Sequence, residues 1–159
     1  MTQQKTPQSL TALQLKSTVQ SYARAVCKAQ IELVNSFHAE KSISASAQEP
    51  GQPMSAAERQ KYFEERQWAF PDFHFEATKI VTNPQKQIAT YNWKVTGTFK
   101  QPFKGVKPNG RRIAMNGTTE LQFEKGKIIR ETSYQNVGAL MKQLQAPPAK
   151  GSVKKGDDD

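Results

Sequence analysis

The groups with the most chemical capacity gather near the end of the chain. Tyr134 and Asn136 lie two residues apart, so on an extended strand they share a face. Tyr134 can donate its hydroxyl hydrogen to a substrate oxygen, and Asn136 can donate from its amide but cannot take up a proton near neutral pH. Ile128, Arg130 and Thr132 fall on the same face by alternation. Glu120 and Glu131 fall on the opposite face of their strands and are expected in solvent. His74 alternates with Phe73 and Phe75 and should point away from any core they build. His38 is expected at a helix end, where a charged imidazole suits the dipole. The two histidines are far apart and have no cysteine or carboxylate at ligand spacing, so no metal site is expected. Cys27 is the single cysteine, which excludes an internal disulfide. It reads as a small apolar filler on a helix and suits a reducing, cytoplasmic compartment.

The elements that must position these groups show as periodicities. Ile113, Met115, Gly117, Thr119, Leu121 and Phe123 alternate with polar residues, which predicts a strand with one buried face. Glu124-Lys125-Gly126-Lys127 is a tight turn, and Ile128 to Asn136 returns as the second arm of a hairpin. Ala89, Tyr91, Trp93, Val95, Gly97 and Phe99 form one face of an earlier strand, and Phe73 to Val81 forms another. Upstream, Leu15, Val19, Tyr22, Val26, Ala29, Leu33 and Phe37 are spaced by three and four, predicting a long amphipathic helix ending around Phe37 to Lys41. Ser42 to Pro53 reads as a loop. Ser55 and Glu58 form a capping box that starts a second helix, which carries Tyr62, Phe63 and Trp68 and stops before Pro71. Val137 to Leu144 predicts a short closing helix.

Helices grouped before consecutive strands define an α+β class, with a curved antiparallel sheet covered by the N-terminal helices. An incompletely filled concavity in such a sheet is a pocket. Its expected lining is Tyr91, Trp93, Phe99, Met115 and Thr132, with Tyr62 and Trp68 from the second helix. One domain is expected over residues 9–145, with a disordered arm at 1–8 and a disordered tail at 146–159.

Composition bounds the partners. With 36% hydrophobic residues the chain can build a core, and no apolar run is long enough to cross a bilayer. The stretch from Met1 to Lys16 lacks the apolar segment of a secretory signal. The net charge of +9 favours an anionic partner. Lys94, Lys100, Lys104, Lys107, Arg111 and Arg112 have no acid among them, and Phe99 and Phe103 interleave. Such a stretch can bind single-stranded nucleic acid, though a solvated loop is the simpler reading and no nucleic-acid-reading motif accompanies it.

Phe70-Pro71-Asp72-Phe73-His74-Phe75, Trp93 with Gly97-Thr98, Gly110-Arg111-Arg112, and Phe123-Glu124-Lys125-Gly126-Lys127-Ile128-Ile129 with Glu131 occur in that order. With Gly138 to Leu144, this series resembles the SnoaL-like polyketide cyclase family over roughly Met54 to Gln145. The resemblance implies the cone-shaped fold of nuclear transport factor 2-like proteins, an apolar pocket for a small hydrophobic ligand, and a homodimer or higher homo-oligomer. It also implies cofactor-independent aldol closure of a ring in an aromatic polyketide methyl ester. The family's catalytic aspartate aligns with Asn136, its histidine after the Gly-Thr pair with Phe99, and its late-strand tryptophan with Thr132. With those substitutions the resemblance implies a cyclase that uses Asn136 and Tyr134 as hydrogen-bond donors to an enolate. A non-catalytic carrier is the alternative, and nucleic-acid binding through residues 94–112 is the second alternative.

Overall fold

The computed structural model describes residues 9–46 and 51–148. Helix α1, Ala12–Cys27, starts at a capping box in which Thr11 Oγ1 accepts from the Gln14 amide and Gln14 Oε1 accepts from the Thr11 amide. It is shorter than its stripe predicts. The chain turns at Lys28–Gln30, with Ala29 at φ 53°, and resumes as the short helix α2, Ile31–Ser36. The turn shifts the phase by one residue, so Val34 is fully buried while Leu33 is exposed.

His38–Ser46 then forms strand β1, and Gln52–Pro53 forms the two-residue β2, where a helix end and a loop are expected. Ser42-Ile43-Ser44-Ala45-Ser46 has too little apolar contrast to show a strand's alternation. Its partner is β6, distant in sequence, to which it runs parallel. Helix α3, Ala56–Ala69, opens on the expected Ser55–Glu58 capping box. Strands β3 (His74–Asn83), β4 (Ile88–Thr98), β5 (Arg112–Glu124) and β6 (Lys127–Gln135) come next, and α4 (Val137–Leu144) closes the fold. The class is α+β, a curved six-stranded sheet in the order β2-β1-β6-β5-β4-β3 with N-terminal helices against it. It is antiparallel except at β1–β6. Residues 47–50 of the expected loop and residues 149–159 of the expected tail lie outside the described residues, as does the arm at 1–8.

Two apolar clusters hold these layers. Leu15, Val19, Tyr22 and Val26 of α1 pack with Tyr91, Trp93, Leu121, Phe123 and Ile128 of the sheet. Ala69, Phe70, Phe99, Phe103, Ile113 and Leu144 form a second cluster at the other end. Helix α4 is tied to that end by Asn109, whose Nδ2 donates to the carbonyls of Gln143, Leu144 and Ala146. Its two hydrogens are shared among carbonyls at and just beyond the helix end.

The β5–β6 pairing contains the irregularity that decides the site. Phe123 pairs with Ile128, but Gln122 pairs with Arg130, so Ile129 is an extra residue on β6. One unpaired residue turns every later side chain to the other face. Ile128 is inside, and beyond the bulge Glu131, Ser133 and Gln135 turn inward, while Thr132 and Tyr134 turn outward.

Candidate active site

Inward residues of β4, β5 and β6 meet α3 and α4 around a cavity of about 500 Å³. Tyr91, Trp93, Val95, Ile113, Met115 and Phe75 supply apolar wall, and Phe63, Phe73, Leu140 and Met141 cover it. Thr119, Glu131, Ser133 and Gln135 supply the polar patch. Ser44, Ala45 and Ser46 of β1 also line it, so the missed strand is part of the wall. Tyr62 and Lys104 border the cavity while remaining exposed, which marks its mouth.

Of the lining residues expected from sequence, Tyr91, Trp93, Met115 and Tyr62 border this cavity. Phe99 is fully buried against Phe70 in the second cluster, with ring centroids 5.4 Å apart, and does not reach it. Thr132 stands on the outer face opposite Glu120. Trp68 is 56% exposed on the solvent side of α3. The proposed catalytic pair is also displaced. Tyr134 is 48% exposed on the outer face. Asn136 is the N-cap of α4, its Oδ1 accepting from the Ala139 amide at 2.9 Å. Simple alternation carried through Ile129 misplaces Tyr134 because it ignores the bulge, and carried on to Asn136 it runs past the end of β6 at Gln135.

The same correction brings Glu131 from its expected place in solvent into the cavity. Its side chain is 23% exposed. Tyr22 Oη lies 3.1 and 3.2 Å from its two carboxylate oxygens and 2.9 Å from His38 Nε2. His38 Nδ1 is 2.9 Å from the buried Ser42 hydroxyl. His38 is therefore not a charged helix-end imidazole. It begins β1, its side chain is 3% exposed, and burial followed by the nearby Arg59 charge lowers its pKa from 6.5 to about 3. Burial raises the Glu131 pKa; the Tyr22 hydrogen bond and the Arg59 charge oppose the rise without cancelling it. Burial, followed by the Glu131 charge, pushes the Tyr22 phenol well above its ordinary value, so it stays protonated as a donor.

These contacts admit two complete hydrogen assignments. With Glu131 ionised, Tyr22 donates to it, His38 Nε2–H donates to Tyr22, and Ser42 donates to Nδ1. With Glu131 protonated, the carboxyl donates to Tyr22, Tyr22 donates to His38 Nε2, and Nδ1–H donates to Ser42. The chain Glu131–Tyr22–His38–Ser42 thus accommodates one proton on Glu131 without leaving a buried polar atom unmatched. A second polar chain lies beside it. Trp93 Nε1 donates to Thr119 Oγ1 at 2.9 Å, and Thr119 Oγ1 is 3.0 Å from Ser133 Oγ. Tyr91 is a further hydrogen-bond neighbour of Thr119, so these hydroxyls form one connected polar patch in the cavity wall.

Helix α3 contributes Arg59 and Arg66, which with Phe63 and Phe70 make a stripe spaced by four, three and four. Both arginines are nearly inaccessible, at 6% and 8% exposure. Arg59 donates Nε to Asn35 Oδ1 at 3.0 Å and its Nη atoms to the Met54 carbonyl. A stripe sought among apolar residues alone selects Tyr62, Phe63 and Trp68 and passes over both cations. The basic stretch presents no stacking platform, since Phe99 and Phe103 are both buried in the second cluster.

A model of the SnoaL-like polyketide cyclase family matches residues 16–144. Among solved structures, a SnoaL-like protein of Jannaschia sp. CCS1 is 17% identical, with 92% of this chain and 100% of that one covered at a TM-score of 0.77. A SnoaL-like polyketide cyclase of Agrobacterium tumefaciens is 21% identical, with coverage of 82% and 97% and a TM-score of 0.67. TsrD of Streptomyces laurentii is 13% identical, with coverage of 86% and 98% and a TM-score of 0.73. At these identities the likeness is one of fold. Comparison with curated protein sequences finds no match.

Proposed function

We propose that this chain, which belongs to the SnoaL-like polyketide cyclase family, closes a ring in a polyketide-like substrate with Glu131 as its acid/base. The observation that carries this reading is the Glu131 carboxylate, largely buried in the cavity wall and within hydrogen-bond distance of the Tyr22 hydroxyl, where burial raises its pKa. Burial brings a carboxylate toward the basicity needed to take a proton from carbon next to a carbonyl. Glu131 removes that proton and leaves an enolate. The enolate carbon attacks a second carbonyl of the same molecule, forming a carbon–carbon bond while the carbonyl π electrons become an alkoxide. Glu131 returns the proton to the alkoxide. Atoms and electrons balance, and no redox partner is needed. The hydroxyls of Thr119 and Ser133 put a polar patch beside the developing enolate oxygen, and the apolar wall limits competition from water.

Ring closure of linear polyketide substrates tests the proposal. Glu131→Gln should lower the rate by roughly 10²–10⁴-fold, whereas Tyr134→Phe with Asn136→Ala should leave it near wild type. An undiminished rate in Glu131→Gln would sink the assignment. The carrier reading draws on Asn136 being a helix cap and Phe99 a core residue, where the family places its acid/base groups. Tight binding of the same substrates with no closure by the wild-type protein would select it.

A further inference from the structure

Arg66 is buried. Among the described residues no carboxylate lies within ion-pair distance of it. Nη2 donates to the Val26 carbonyl at 3.3 Å, and Nε has no hydrogen-bond partner. The guanidinium lies 3.7 Å from the Phe73 ring centroid and 4.4 Å from that of Phe63. These faces attract a cation but accept no conventional hydrogen bond from its N–H groups. A desolvated cation with an unmatched donor is costly to keep. A hydrophobic side chain of similar size would fill the same space at less cost. The aromatic faces and the neighbouring Tyr62 hydroxyl offset part of that cost, and a counter-charge where Arg66 borders the cavity would offset more.

We propose that the occupant of this cavity carries a free carboxylate, which the Arg66 guanidinium binds. This rests on the cavity holding the polyketide-like substrate proposed above, and it specifies that substrate's charge. The resemblance by itself implies a methyl ester, which has no charge to offer a buried guanidinium. A planar carboxylate matches the fork of an arginine in both shape and charge. Arg59 is less suited to the role, because Asn35 and Met54 already occupy its donors and Glu131 is its counter-charge. Lys104 at the mouth adds a second positive charge on the entry path.

Two probes decide it: anthraquinone-2-carboxylate and its methyl ester, titrated calorimetrically into the full-length protein. A charge-assisted bond predicts that wild type binds the acid about 10- to 100-fold more tightly than the ester. Arg66→Gln should abolish that preference, and Arg66→Lys, which keeps the charge, should retain part of it. Equal affinity of wild type for acid and ester overturns the proposal, and so does an intact preference in Arg66→Gln. The wild-type comparison stands even where a variant fails to fold. Ring closure with equal affinities leaves the cyclase reading and removes this one. Acid preference with no closure does the reverse.

Discussion

Glu131 and His38 pull the pH dependence of stability in opposite directions. Glu131 has a raised pKa in the folded protein, so the folded state holds its proton to higher pH than the unfolded state. Stability from this group is complete below the unfolded value of about 4.3 and is lost as pH rises through the folded value. His38 has a lowered pKa of about 3, so its contribution is complete above about 6.5 and is lost as pH falls toward about 3. Glu131→Gln removes only the first effect. The variant should therefore melt at a higher temperature than wild type near neutral pH. That gap should close as both proteins are taken to about pH 4. A gap independent of pH would mean that Glu131 is not desolvated in the native state. With Glu131 in the proposed acid/base role, closure should rise with pH through a value above the ordinary carboxylate range, since only the ionised carboxylate takes a proton.

At the scale of elements, the β4–β5 pair is built around a side chain that lies across its neighbour. Trp93 and Gly117 are cross-strand partners, and a Cβ at Gly117 would fall 2.1 Å from Trp93 Cζ2. The glycine is needed for the space it leaves, and the indole placed there donates to Thr119 in the cavity wall. Gly117→Ala should cost roughly 1–3 kcal/mol in chemical denaturation, through overpacking. It should also shift the tryptophan fluorescence as the ring is displaced. An unchanged midpoint would show that the indole has room to move. Helix α3 makes a complementary point: its start was legible in Ser55 and Glu58, but its functional face was not. Arg59 and Arg66 resemble ordinary surface cations in sequence, and only tertiary packing, with Asn35 and Met54 around Arg59 and with Val26, Phe63 and Phe73 around Arg66, buries them.

For the molecule as a whole, a net charge of +9 surrounds a cavity that, among the described residues, is bordered by Arg59, Arg66 and Lys104 and by the Glu131 carboxylate. Long-range attraction accelerates the approach of an anion and is screened beyond about 8 Å at physiological ionic strength. The association rate of anthraquinone-2-carboxylate should therefore fall as salt is added, while its dissociation rate changes little, because a buried guanidinium is poorly screened. Stopped-flow quenching of tryptophan fluorescence measures both. A salt-independent association rate would show that the surface charge plays no part in capture.

Local pattern alone determined the α+β class, the inward faces of β4 and β5, the α3 capping box and the closing helix, because each depends on neighbours within a few residues. Tertiary structure decided which carboxylate faces the cavity. Ile129 carries no mark of a bulge in its own identity; its extra position exists only in register with β5, and it exchanges Tyr134 for Glu131 at the wall. It also decided that His38 begins a strand, because that strand's hydrogen bonds come from β6, nearly a hundred residues away in the chain.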